Sequence, residues 1–227
     1  MRKSFITLLV LSLASIASAD MVVVISSDTD VDATTINGLT STTAATNYDS
    51  DPDLIVDFGD KGQSLIQFDL SAIPAGATIN SASLKLTATS NGTANTIEFY
   101  QLTQGWMGST ATWNNFGATM NDGAVVGTDT VASPFHTLAG LANSAMTTID
   151  VQSLVQDWID GTANNGILLT GVSGSDGLQL HSDMSMMGPS LTVDYTAVPE
   201  PTAFLMLGLV GAGFGGCRWW KSRKAAK

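Results

Sequence analysis

The chain has 227 residues, with nine Lys and Arg against twenty Asp and Glu, a formal net charge of −11 and one Cys. Residues 20–197 hold nineteen of the acids and only Lys61 and Lys85 as bases, a formal charge of −17. A surface of that sign argues against nucleic-acid binding and against unaided binding of polyanionic glycans, and with Cys217 near the C-terminus the acidic region has no disulfide and no thiol chemistry.

At the N-terminus, Arg2 and Lys3 precede an apolar run from Phe5 to Ile16, and Ala17-Ser18-Ala19 stands before Asp20. That is the layout of a secretory signal peptide over residues 1–19, cut by signal peptidase between Ala19 and Asp20. The run is shorter than the ~20 apolar residues a spanning helix needs. The region 20–197 that follows is long enough for one domain with a sizeable core.

Short strands separated by Gly, Asn, Asp and Ser fill that region. The expected strands are Met21–Ser26, Asp53–Phe58, Ser64–Leu70, Ser81–Thr89, Thr96–Thr103, Ala124–Thr128, "MTTID", "GILLTGV", "GLQLHS" and Ser190–Tyr195. In Ser81–Thr89, Ala82, Leu84, Leu86 and Ala88 fall on one face. About ten strands with turn signals at this spacing predict an all-β sandwich of jelly-roll type. One segment has helical period: Val151, Leu154, Val155, Trp158 and Ile159 share a face, with Asp150 as N-cap and Gly161 as the residue that ends the helix. Trp158 is therefore expected in the core. Met184, Met186 and Met187 sit in a loop and are expected to fill gaps in packing.

The acids suggest one candidate metal site. Asp28, Asp30 and Asp32 stand two apart in "DTDVD", and from a loop they could converge on Ca²⁺, which takes several hard oxygens. Asp49, Asp51 and Asp53 repeat the pattern. The alternative is a solvated acidic edge that discourages strand pairing. The aromatics suggest a sugar site. Trp106, Trp113 and Phe116 flank a polar turn, and Asn114 and Asn115 beside them could bind hydroxyls while a ring stacks on the sugar. Here the alternative is that the two Trp residues belong to the core. For catalysis, His136 and His181 lie in no triad or metal motif, so enzymatic activity is not expected. With nineteen acids present, carboxylate pairs arise by chance.

Four patterns occur in the order and spacing of a known family. "SLIQFDLSAIPAGATINSASLKL", "WMGSTATWNN", "TIDVQSLVQDWIDGTANNGILL" and "GPSLTVDY" resemble the successive motifs of DNRLRE-type domains, over about Asp28 to Tyr195. The resemblance implies a jelly-roll sandwich in a secreted protein, some relatives being carbohydrate-binding modules attached to polysaccharide lyases. Two departures stand out: the Gly after "Asn-Tyr" is Asp49 here, and the basic residue before "FDLS" is missing, with Gln63 and Gln67 flanking the strand. A uronate polymer such as alginate would find few basic residues to grip it.

The C-terminus, 198–227, resembles the PEP-CTERM sorting signal. Pro199-Glu200-Pro201 comes first, then an apolar run from Ala203 to Cys217, then a basic end. The resemblance implies cleavage near the triplet by an exosortase-type membrane protease, with at least transient anchoring by the apolar helix. The basic end should stay cytoplasmic, leaving the domain outside. A plain C-terminal anchor is the other reading of this layout. The expected protein is thus a non-catalytic component of the cell surface or extracellular matrix that binds polysaccharide. A structural or adhesive module contacting proteins is the alternative, and a polysaccharide hydrolase or lyase stands third.

Overall fold

Alternating side chains build the core strand by strand. Ala82, Leu84, Leu86 and Ala88 point one way from strand β5 (Thr78–Thr87) and its continuation, and all four are buried, as the alternation predicts. The computed structural model describes residues 20–198 except 27–28, 60, 91, 93–94 and 175–176. The expected signal peptide, the Pro-Glu-Pro triplet and the apolar tail lie outside the described residues, as does Asp28.

The remaining elements, in chain order, are β1 (Asp20–Ile25), β2 (Val31–Asn37), α1 (Ser41–Ala45), β3 (Asp53–Val56), β4 (Gly62–Phe68), β6 (Thr96–Gln101), β7 (His136–Ala139), β8 (Met146–Asp150), α2 (Gln152–Ile159), β9 (Ile167–Ser173), β10 (Leu178–His181) and β11 (Ser190–Thr196). One sheet has the order β1-β11-β5-β8 and the other the order β2-β4-β9-β6-β7. Strands β3 and β10 pair with each other, and Ala88, just past β5, bridges to Leu180 of β10. Every pairing is antiparallel. The fold is an all-β, jelly-roll-like sandwich in which Asp20–Ala197 forms one unit. Phe68, Phe99, Leu54, Ile66, Leu84 and Ile149 fill the space between the sheets, each at most 1% exposed.

Strand β7 has no counterpart among the expected strands, and three further local outcomes differ from the sequence expectation. First, Val31–Asn37 is a strand although its residues read as polar. Its Thr34 and Thr35 are buried, and Thr35 Oγ1 accepts the Ile55 N–H (2.9 Å) while Ser64 Oγ donates to the Ile55 carbonyl (2.9 Å). Hydroxyls on the inner faces of β2 and β4 thus satisfy the backbone of β3 as it crosses over them. Second, Ala124–Thr128 is a set of turns, not a strand. Side chains take its backbone groups: Gln63 Oε1 accepts the Ala124 N–H, and Asp129 Oδ2 accepts the Val125 N–H, both at 2.9 Å. Third, Met184, Met186 and Met187 do not fill packing gaps. They are 56%, 105% and 50% exposed, because the loop that carries them turns outward between β10 and β11.

Helix α2 lies where the period placed it. Leu154, Val155 and Trp158 are buried on the core side, but the N-cap is Val151 rather than the expected Asp150, which stands one residue earlier and whose Oδ1 accepts the Gln152 N–H (2.9 Å). Gly161 has φ +110°, a conformation that L side chains rarely adopt, and it closes the far end. A five-residue helix, α1, adds to it, opened by a capping box between Thr40 and Thr43.

Candidate functional site

The outer face of the five-stranded sheet carries both an apolar strip and a polar margin. Register places Leu65, Leu168 and Tyr100 side by side on that face, with Ile36 beside Gln63 one step along and Asp32 beside Gln67 at the other end. The long connection from β6 to β7 folds over the strip: Ala111, Phe116 and Ala124 join it in a second apolar cluster, with Trp106 and Trp113 packed against its border. Among the described residues, two clefts open beside this connection, and its turn at 104–110 contributes to both.

The first cleft, about 620 Å³, is acidic. Asp30, Asp32, Asp49, Asp69 and Asp183 line it together with Gln67, Ser109 and Asn164. Its carboxylates come from separate parts of the chain. Asp32 projects from β2 and accepts the Gly108 N–H (2.9 Å). A side chain at Gly108 would meet the carboxylate oxygens of both Asp32 and Asp49 and force them to move, so glycine here lets the turn close over them. Among the described residues no base lines the cleft, and its electrostatics show the strain. Burial pushes the Asp183 carboxyl up to about 6; the charges of Asp32 and Asp49 add to the rise, and the N–H groups of Asp183 and Ala33 oppose it. Asp32 is raised in the same way, chiefly by burial and further by Asp49, against the pull of the Gly108 N–H. Asp183 therefore holds a proton at a pH where an exposed aspartate has lost it.

The structure gathers the sequence-predicted acids differently from the pattern that suggested them. Asp30 and Asp32 line one cleft, joined by Asp49 from the second triplet and by Asp183, which no local pattern marks. Asp51 and Asp53 are not part of it: the Asp51 carbonyl accepts the Ser182 hydroxyl (2.7 Å), and Asp53 pairs with His181 in the β3–β10 ladder. Among the described residues, no three His, Cys, Asp or Glu side chains are placed to hold a metal ion.

The second cleft, about 480 Å³, is lined by Gln104, Trp106, Met107, Thr110, Asn115 and Phe116 with nearby glycines. Trp106 is half-buried, and its Nε1–H donates to the Asn165 carbonyl (2.8 Å), which fixes the ring at the cleft wall. Phe116 is 3% exposed and forms part of the floor. Asn115 is exposed; its Oδ1 accepts the Thr112 N–H and its Nδ2 donates to the Thr110 carbonyl, both at 2.8 Å. Each of those atoms keeps capacity for one more hydrogen bond. Trp113 and Asn114 do not line it. The Trp113 indole lies between Gly38 and Gly123, where side chains would collide with the ring, and its Nε1–H donates to the Asn121 carbonyl (3.3 Å). The backbone of Asn114 ties Ala44 to Asn121.

The two glutamines flanking β4's "FDLS" stretch have structural partners. Gln63 holds Ala124 by both its N–H and its carbonyl, and Gln67 Nε2 donates to the Asn164 carbonyl (2.6 Å). His136 stacks edge-on against Phe99 at 5.5 Å, on a different sheet edge from His181.

A sandwich that holds a half-buried tryptophan and amide side chains together in an open cleft has the build of a binding module. The comparisons agree: the chain belongs to carbohydrate-binding module family 96, whose model matches residues 24–195. No curated protein matches the chain.

Proposed function

We propose that this is an exported, non-catalytic protein of the cell surface or extracellular matrix whose sandwich binds a neutral polysaccharide in the Trp106 cleft. The observation that carries the reading is the Trp106 ring, locked by Asn165 at the wall of a cleft that also presents Asn115, in a chain of a carbohydrate-binding family. A flat indole stacks on the C–H face of a pyranose, and nearby amides accept and donate to its hydroxyls. The charge of −17 over 20–197 supports an uncharged ligand, since a polyuronate would meet like charge on every side. Export and sorting rest on the terminal segments: signal peptidase acting before Asp20, and an exosortase-type protease acting near Pro199-Glu200-Pro201.

The test is retention of the protein on neutral glucans, mannans and xylans, compared with a polyuronate. Wild type is expected to be retained by at least one neutral polymer, and Trp106→Ala to lose tenfold or more in affinity when assayed well below its own melting temperature, which the lost packing and the lost Asn165 hydrogen bond should lower. Equal retention of Trp106→Ala would remove this cleft as the site. One observation favours a second reading: Asp183, protonated to about pH 6 beside Asp32 in an open cleft, has the character of a general acid. Release of reducing ends by wild type, abolished in Asp183→Asn, would replace binding with a hydrolase or lyase.

A further inference from the structure

All seven methionines of residues 20–197 are at the surface, from 48% to 105% exposed. Methionine is ordinarily among the most buried residue types, so these thioethers serve no core. Three of them fall within four residues, Met184, Met186 and Met187, on the loop between β10 and β11.

That loop is pinned. Ser182 is fully buried; its N–H donates to the Pro52 carbonyl (2.9 Å) and its hydroxyl to the Asp51 carbonyl. Beyond it, the Ser185 N–H donates to the Ser182 carbonyl (3.1 Å) and the Gly188 N–H to the Ser185 carbonyl (2.9 Å). The N–H groups of Met184 and Met187 donate to the hydroxyls of Ser182 and Ser185. Successive tight turns therefore hold three exposed thioethers on a short span. Met184 and Met187 are three residues apart, so their Cα atoms are at most ~11 Å apart. His181, the last residue of β10, stands half-buried at the base of the same loop. Met184 also lines the acidic cleft beside Asp183, so the local field favours a cation.

From this juxtaposition of one imidazole and three thioethers on a pinned, acidic-sided loop, we propose that His181–Met187 binds a soft monovalent cation, Cu(I) by ligand chemistry. Thioethers are soft donors that select Cu(I), and imidazole suits copper as well. Hard cations such as Ca²⁺ prefer oxygen and would not compete for the sulfurs. Residues 20–197 contain no thiol that could outcompete the methionines. The site is independent of the glycan cleft and does not rest on that reading.

The probe is Ag(I), a redox-inert stand-in for Cu(I), added to the full chain and followed by native mass spectrometry and calorimetry. Every arm carries Cys217→Ser, because that thiol would take silver itself. The parent is expected to bind one Ag(I), with Ca²⁺ and Zn²⁺ unable to displace it. Met184→Leu/Met186→Leu/Met187→Leu should bind at least tenfold more weakly; these exposed exchanges should leave the melting temperature within a degree or two. Met21→Leu/Met107→Leu/Met146→Leu should bind like the parent. No silver on the parent would overturn the proposal. Undiminished binding by the loop variant, or an equal loss in the second variant, would overturn it too.

Discussion

Asp183 illustrates how one residue can carry an energetic cost that its own neighbourhood in the chain does not reveal. Its carboxyl is held at about 6 by burial and by Asp32 and Asp49, against an ordinary 3.8. The folded state keeps this proton up to about pH 6, whereas the unfolded chain gives it up near 3.8. Folding therefore takes up a proton between those values, and the contribution of this group to stability falls as pH rises from about 4 to 6, then levels. Thermal melts should show Asp183→Asn raising the melting temperature at pH 8 and changing it little at pH 4.5. An equal shift at both pH values would mean that packing, not charge, sets the effect. Trp113 is the opposite case. Its tryptophan and asparagine neighbours read as a sugar platform in sequence, yet the backbone at Gly38 and Gly123 comes up against its ring and it lies outside the cleft. No local signal distinguishes it from Trp106, since what separates them is which backbone arrives from elsewhere.

Helix α2 shows what an element adds beyond its apolar face. Gln156 Oε1 accepts the Ile79 N–H (2.8 Å) and its Nε2 donates to the Ala77 carbonyl (3.1 Å), while Gln152 Nε2 donates to the Ile79 carbonyl (2.9 Å). Two glutamines thereby occupy backbone groups at the start of β5, where the register with β11 shifts between Asp194 and Tyr195. Gln156→Leu keeps the helix but leaves Ile79 N–H unpaired; the expected cost is ~1–3 kcal/mol. In urea unfolding the midpoint should fall with an unchanged slope. The 3.6-residue spacing of Leu154, Val155 and Trp158 made the helix legible, because helix geometry is set by neighbours three and four apart. The role of its glutamines was not legible, because their partners are more than seventy residues away. Strand β2 was missed for a related reason: its buried Thr35 looks like surface until Ile55 crosses above it.

On the scale of the whole molecule, Asp20–Ala197 is one unit with its own core, and the segments before and after it in the sequence carry seven of the nine Lys and Arg. If they are export and sorting signals, protein recovered from its native host should have an intact mass that starts at Asp20 and ends near Pro199–Pro201. A mass reaching Lys227, confined to the membrane fraction, would make the tail a permanent anchor and would move the site of action to the membrane surface.

Alternation in Ser81–Thr89, the helical spacing in Val151–Ile159 and the turn residues between strands were enough to determine an all-β sandwich with a helix at 152–159. Those signals are local, written in spacings of two to four residues. The amino-acid sequence also determined the charge of the sandwich, and with it the kinds of ligand it repels. Only the tertiary structure decided which side chains meet. It placed Trp106 and Asn115 in one cleft and left Trp113, equally half-buried, outside it against Gly38 and Gly123, and it brought Asp32, Asp49 and Asp183 together across some 150 residues of chain. It also turned three methionines outward. Like charges do not seek one another, so no local rule gathers those carboxylates. The two sheets meet to bury their apolar faces, and the loops at their margin are carried along.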